Sequence, residues 1–250
     1  MKSRRDVWIL DTLAKKGKIL VKEISDQYDI SLESARRDLR RLAKDGLLIR
    51  THGGAMSKDR SDAGDSFKRR QKLNLLEKKY IAQKAVQHVF EDAIIGLDAS
   101  STSWCFAQEL PDIPCKVVTN SMHNVEILAE KKNIEIIATG GVFSEKYLGF
   151  YGPLAELLLN RLHIDIGIFS CIGIDNEGNT WESNELNTSI KKKLMSVCDK
   201  KYLLADTSKF GKSNLIQLAS LTEFDEVFVE KSPQTEILDY IHEHNIKLNA

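Results

Sequence analysis

Cysteine is scarce in this chain and never clustered. Its four thiols, Cys105, Cys115, Cys171 and Cys198, stand in no C-x-x-C pair and beside no histidine cluster. That spacing argues against a disulfide framework and against a structural zinc site, so the thiols are expected reduced and mostly packed, with no metal. Long apolar runs are lacking too. No stretch approaches the roughly 20 apolar residues that span a bilayer, and the N-terminus MKSRRDVWILDTLAKKGK interrupts its apolar residues with charge, unlike a secretory leader. The expectation is a cytoplasmic protein with no membrane partner and no cofactor. Internal repeats and low-complexity segments are absent. Net charge is also absent, but the formal value of +0 hides an asymmetry. Residues 1–72 carry +8 and the remainder −8. A basic module suited to a polyanion precedes an acidic one that should avoid it.

What is present is concentrated first in Ser31 to Ala55, SLESARRDLRRLAKDGLLIRTHGGA. Leu32, Ala35, Leu39 and Leu42 recur at helical spacing, while Arg36, Arg37, Arg40, Arg41 and Lys44 occupy the remaining surface. Ser31 suits an N-cap, Glu33 favours the positive end of the helix dipole, and Gly46 suits a left-handed C′ residue. Leu47 to Ile49 then read as a short strand, Arg50 to His52 as its polar tip and Gly53-Gly54 as a turn. A cationic helix face is also what an ordinary solvated surface looks like. The upstream pattern favours more: a short helix from Val21 carrying Ile24 and Tyr28, then a break at Asp29-Ile30. Helix, tight turn, basic helix and hairpin outline a winged helix-turn-helix, which seats its second helix in the major groove of double-stranded DNA.

Arg4 to Lys16 adds a preceding helix closed by Gly17, which makes residues 1–57 the DNA-binding domain. Residues 58–72 (KDRSDAGDSFKRRQK) are polar and read as a linker, with a helical turn toward Phe67 and with Lys68-Arg69-Arg70 as a solvated hinge. From Leu73 to the end, helices and strands alternate: helix 76–90, strand 93–97, helix 102–110, strand 116–119, helix 122–131, strand 134–138, helix 153–162, strand 164–170, helix 184–198, strand 202–205, strand 227–230 and helix 234–244. The fold class expected is α/β, a mostly parallel sheet covered on both faces and preceded by the winged helix.

Ligands of open parallel sheets bind beyond the carboxyl ends of the strands. Five such loops here are polar: Asp98-Ala99-Ser100-Ser101-Thr102, Thr119-Asn120-Ser121, Thr139-Gly140-Gly141, Cys171-Ile172-Gly173-Ile174-Asp175, and Asp206-Thr207-Ser208-Lys209. Singly they are ordinary caps and turns. Together they suit a small anionic metabolite cradled by helix N-termini, with Lys209 as its cation.

These residues resemble the DeoR family of bacterial transcription regulators over nearly the whole chain. The likeness rests on Ile30-Ser31, Arg36-Arg37-Asp38-Leu39, Gly46 and Arg50-Thr51-His52-Gly53-Gly54-Ala55. It continues with Asp98 to Thr102, Thr119-Asn120-Ser121, Gly140-Gly141, Gly173 and Asp206 to Phe210. The resemblance implies a second domain like sugar-phosphate isomerases that senses a phosphorylated sugar. It implies DNA contact by Ser31, Ser34, Arg36, Arg37, Arg40, Arg41, Arg50 and His52. It also implies effector contact by Asp98, Ser100, Ser101, Thr102, Asn120, Ser121, Gly140, Gly141, Gly173, Asp175, Glu182 and Lys209. Two departures stand out: Ser34-Ala35 replaces the usual Thr-Ile, and Ala99-Ser100-Ser101 replaces a glycine-bearing loop. Leu97 to Thr102 with Trp104, Gln108 to Ile113, Phe169-Ser170-Cys171, Gly173-Ile174-Asp175 and Trp181-x-Ser183-Asn184 look like the branch that activates L-fucose use, which implies L-fuculose 1-phosphate as effector. A single winged module has a small footprint, so a homo-oligomer on repeated half-sites is expected. The rival reading is an isomerase with a DNA-binding appendage, in which Asp175, Glu182, Glu185 and Lys191 would move protons between adjacent carbons.

Overall fold

The computed structural model describes residues 4–16, 18–51, 53–57 and 64–250, in two compact units that divide between Ala63 and Gly64. The expectations placed on Gly17 and His52, and on the first part of the linker, lie outside the described residues.

The first unit runs α1 (Arg4–Lys16), β1 (Lys18–Leu20), α2 (Val21–Tyr28), α3 (Leu32–Lys44), β2 (Leu48–Thr51) and β3 (Gly54–Ser57). Local chemistry sets the breaks. Asp29 takes the left-handed conformation (φ 48°) between α2 and α3, a region that Asp tolerates because its short side chain bonds locally. Ser31 caps α3 by accepting from the Ser34 amide at 3.1 Å. Gly46 follows at φ 71°, where a Cβ would be strained. The core gathers Ile9, Leu13, Ile19, Ile24, Ala35, Leu39, Leu42 and Leu48. Leu32, expected in the apolar stripe, is instead 45% exposed, because as the first residue of α3 it precedes the turn that packs inward. The antiparallel order β1-β3-β2 includes a strand, β1, that three residues are too few to announce by periodicity.

The second unit holds a seven-stranded sheet in which all described pairings are parallel. Its strands are β4 (Ile94–Leu97), β5 (Cys115–Thr119), β6 (Ile134–Ala138), β9 (Ile164–Phe169), β12 (Cys198–Leu204), β14 (Glu226–Phe228) and β15 (Leu248–Asn249), in the order β15-β14-β12-β9-β4-β5-β6. Its helices are α4 (Phe67–Arg70), α5 (Leu75–Ala85), α6 (Ser101–Glu109), α7 (Met122–Leu128), α8 (Pro153–Leu159), α9 (Glu185–Met195) and α10 (Thr235–Glu243). Two apolar clusters form the core: one holds Ile81, Phe106 and Ile168, the other Tyr151, Ile190 and Leu203. The chain winds outward from β4 through β5 and β6, then returns to place β9 on the other side of β4. That reversal makes the β4/β9 boundary the topological switch point, beside which open parallel sheets generally form their ligand crevice.

Two antiparallel additions go beyond the expected alternation. The hairpin β7 (Val142–Ser144) and β8 (Gly149–Tyr151) and the small sheet of β10 (Gly173–Ile174), β11 (Asn179–Glu182) and β13 (Ile216–Ser220) both rise from the strand-end side. Their strands are too short for period-two patterning to stand out. The linker expectation also needs correction over residues 64–72. Phe67 is fully buried, its ring 6.2 Å from Trp104 and 4.5 Å from His123, and its amide donates to the Lys146 carbonyl at 3.0 Å. One aromatic side chain with a prepared slot outweighs the polarity of its neighbours, so this segment belongs to the second unit.

Candidate functional site

In the first unit the buried stripe of α3 is Ala35, Asp38, Leu39 and Leu42, which leaves Glu33, Arg36, Arg37 and Arg40 on the exposed side. The arginines are not equivalent. Arg41 is held against α1 and its own helix by the buried Asp6 and by Asp38, the latter at 3.7 Å. Arg5 of α1 reaches Asp38 at 2.6 Å. Arg40 pairs with Glu33, and Arg36 approaches the same carboxylate at 3.6 Å. These two arginines hold Glu33 below its ordinary carboxylate pKa, Arg40 more than Arg36. Arg50 lies exposed on β2. Ser31 and Ser34 bond each other, Oγ to Oγ, at 3.0 Å.

In the second unit the residues expected around an effector divide into two sorts. Asp98, directly after β4, is buried and saturated. It accepts from the Ser100 amide (2.9 Å), the Ser103 hydroxyl (2.6 Å) and, across the switch point, the Ser170 amide (3.0 Å), and it pairs with Lys191 at 3.0 Å. Burial alone would raise its pKa; Lys191 and these donors hold it below the ordinary value. Lys191 also donates to Glu182 and to the Ser170 carbonyl. Its own pKa is raised, the two carboxylates overcoming the burial that would lower it. Asp98, Lys191 and Glu182 thus form a closed buried network that fixes the two loops of the crevice. Asp175 is likewise taken up locally. It accepts from the Glu177 and Asn179 amides (3.0 and 2.8 Å) and from Trp181 Nε1 (2.8 Å), which makes it the lock of the β10–β11 turn.

The hydroxyl and glycine residues are brought to one edge. Ser100 caps α6 and Ser121 caps α7. Ser101 is the first residue of α6, and Thr102 accepts from the Ser170 hydroxyl at 3.2 Å. Asn120 donates to the Phe150 carbonyl at 3.1 Å, tying β5 to the hairpin. Gly140 has open space around it, whereas a Cβ on Gly141, at φ 112°, would sit 2.6 Å from the Tyr151 carbonyl oxygen. At Gly173 the contact would be 2.4 Å from the Lys212 carbonyl. Two of the three glycines therefore serve backbone approach within the fold.

Cations converge on this edge from a direction that the polar loops do not announce. Arg70 of α4 lies 5.7 Å over the Phe67 ring and 5.4 Å over Tyr147, extends Nη2 toward the Ala99 carbonyl (3.5 Å), and keeps a buried Nε without a partner. Lys78 of α5 is buried and donates to the Arg70 carbonyl at 2.7 Å. Burial depresses its pKa to about 8, and the neighbouring charges of Lys209 and Arg70 add to the depression while Asp206 opposes it. Asn74 bridges to Asp206 and Ser208, each at 2.8 Å, and one oxygen of buried Asp206 has no partner. The orphaned Arg70 Nε and the buried Lys78 beside it are what an anionic group would complete, while the unpartnered Asp206 oxygen calls for a donor such as a ligand hydroxyl. The sequence carries a signal for it: Lys78 begins the buried stripe 78, 81, 82, 85 of α5, where a lysine is costly unless polar or anionic groups meet it.

With both surfaces in view, comparison with known proteins decides the family. A model of the DeoR-like helix-turn-helix domain matches residues 5–61, and one of the DeoR C-terminal sensor domain matches residues 73–231. The chain belongs to the DeoR family. Its relatives in that family include an L-fucose operon activator of Haemophilus influenzae, 52% identical with 97% of each chain covered. An Escherichia coli protein of the same description is 36% identical over 92% of this chain and 96% of that one. The Bacillus subtilis HTH-type transcriptional repressor GlcR is 30% identical over 98% and 94%. Among solved structures, ribose 5-phosphate isomerase A from Neisseria gonorrhoeae aligns over 53% of this chain and 52% of its own, at 22% identity and a TM-score of 0.40. This DeoR-family chain is thus a transcriptional regulator, with α3 in its DNA-binding module and the strand-end crevice in its sensor. No helix among the described residues is long and apolar enough to cross a membrane.

Proposed function

We propose that the protein is a sequence-specific DNA-binding regulator of an L-fucose utilisation operon, and that it is controlled by a phosphorylated sugar, L-fuculose 1-phosphate, bound at the strand-end crevice. The observation that carries the effector's charge is Arg70, whose guanidinium reaches the Ala99 carbonyl just before the α6 N-terminus with a buried Nε left unpartnered and whose own carbonyl holds the Lys78 ammonium, with Lys209 on a neighbouring strand-end loop. The operon assignment rests on the 52% identity to the H. influenzae activator. In this reading Arg70, Lys78 and Lys209 take the phosphate, and Ser101, Asn120 and Gly140 face the sugar. The Asp98–Lys191–Glu182 network holds the crevice in shape. α3 enters the major groove, with Arg50 on the backbone beside it, and a homo-oligomer presents two modules to repeated half-sites in the cytoplasm. Because the segment carrying Arg70 follows the DNA-binding unit directly in the chain, effector binding can bias the placement of that unit. It does so only through different affinities for two arrangements.

Isomerase chemistry is disfavoured on the same geometry. Proton transfer between adjacent carbons needs a positioned carboxylate free to take a proton; Glu182 and Lys191 are committed to each other, and Glu185 lies exposed at the start of α9 with no group positioning its carboxylate among the described residues. Asp175 is committed to its own turn.

The test is thermal shift of the full-length protein with L-fuculose 1-phosphate, L-fuculose and inorganic phosphate. The phosphorylated sugar should raise the melting temperature well beyond either part, since a ligand of the folded state alone stabilises by mass action. Arg70→Ala should abolish the shift. Equal responses to all three compounds would remove the effector assignment, and turnover of the phosphorylated sugar would restore the enzyme.

A further inference from the structure

The four arginines of α3 are one charge pattern in the sequence and three different chemical situations in the structure. Arg41 is bound to a buried carboxylate of α1, a pair that would have to break before its guanidinium could turn to DNA. Arg36 and Arg40 share Glu33, so each offers part of its fork and the trio carries a net charge of one. Arg37 is exposed and, among the described residues, has no hydrogen bond, ion pair or ring contact. It also lies on the side of the helix away from Ala35, Leu39 and Leu42, within the first half of α3. Residues near the start of a recognition helix are those that reach base edges.

We infer that Arg37 is the base-reading arginine of this regulator, recognising a guanine in the major groove, while Arg36 and Arg40 contact phosphates and Arg41 holds the helix to α1. This deepens the proposed function and rests on its reading of α3 as the helix in the groove. The chemistry separates the roles. Bidentate contact to guanine O6 and N7 needs two parallel N–H donors of one guanidinium, and only Arg37 offers them without first breaking an ion pair. A phosphate accepts from any direction and tolerates an arginine that keeps one bond to Glu33. Leu32, 45% exposed at the first position of the same helix, adds an apolar surface of the kind that meets a thymine methyl.

The experiment uses the full-length protein and a randomised duplex library. Wild type is selected on the library, and the enriched duplex and a scrambled duplex are then titrated at several salt concentrations. Arg37→Ala should lose roughly 5- to 150-fold in affinity for the enriched duplex. Its binding to scrambled DNA should stay near wild type, and reselection should yield a motif that has lost one guanine per half-site. Arg36→Ala and Arg40→Ala should weaken both duplexes alike, flatten the salt slope by about one each and keep the motif. Arg41→Ala should keep both motif and slope while melting earlier. The inference is overturned if Arg37→Ala retains every guanine of the motif, or if Arg36→Ala or Arg40→Ala is the variant that loses one. If all four variants bind both duplexes as wild type does, the placement of α3 in the groove fails instead.

Discussion

The two units of this regulator handle charge in opposite ways. On α3 the guanidinium groups of Arg36, Arg37 and Arg40 lie exposed, moderated by the single carboxylate of Glu33. In the sensor, Asp98, Lys191 and Glu182 are buried together and satisfied by one another and by the amides, hydroxyl and carbonyl that Ser100, Ser103 and Ser170 turn toward them. In the proposed function the difference follows from the partner each surface would meet. DNA supplies a continuous polyanion, so solvated cations gain by releasing its counterions and need no fixed network beforehand. A small effector supplies one anionic group, and the crevice must already have its shape when that group arrives. Between these extremes sit Arg70, half-buried, and Lys78, buried, whose contacts run to backbone carbonyls and aromatic rings and whose segment joins the sensor to the rest of the chain.

The contrast breaks most visibly at Lys191. Lys191→Met leaves Asp98 and Glu182 buried without a counter-ion and should cost about 3–5 kcal/mol. Chemical denaturation of the full-length protein should show the loss in the sensor's transition; an unchanged midpoint would mean the network is not what fixes the crevice. Phe67→Ala removes the anchor of the Arg70 segment. A loss of about 3 kcal/mol is expected from an emptied aromatic slot. The effector should then no longer alter DNA affinity even where it still binds, read by fluorescence anisotropy with and without L-fuculose 1-phosphate.

The pH dependence of effector binding is subtler. Lys78 titrates at about 8 in the free protein, because burial and Lys209 disfavour its charge. A bound phosphate would raise that value. Affinity should therefore be complete below pH 8, fall as pH rises through the window above 8, and be accompanied by proton uptake within it. Calorimetry in buffers of different ionisation heat measures the uptake; its absence would place the phosphate away from Lys78. The smallest effect is expected at Glu33. Glu33→Gln releases Arg36 and Arg40, and should leave the melting temperature unchanged while steepening the salt dependence of binding to scrambled DNA.

Local chemistry makes part of this arrangement legible in the amino-acid sequence. The elements around α3 follow from Ser31, Gly46 and the spacing of Ala35, Leu39 and Leu42, since caps and amphipathic stripes act over one or two turns. The alternation of helix and strand likewise announces a parallel sheet, and with it the polar strand ends. Five polar loops do not say which of their residues the fold itself consumes. Asp98 and Asp175 have the chemistry of ligand contacts and serve as locks, because their hydrogen-bond partners lie in other loops or in a turn whose geometry no pattern encodes.

The kinds of element, the basic and acidic halves and the arginine-bearing face of α3 were therefore written in the chain, since all of them depend on composition or on neighbours within a few residues. Which charges are free was a matter for tertiary packing. Arg41 meets Asp6 across 35 positions and Asn74 meets Asp206 across 132. Whether a side chain reads a base, holds a ligand or braces the fold depends on what occupies the space beside it, and chain folding settles that at separations far beyond any local period.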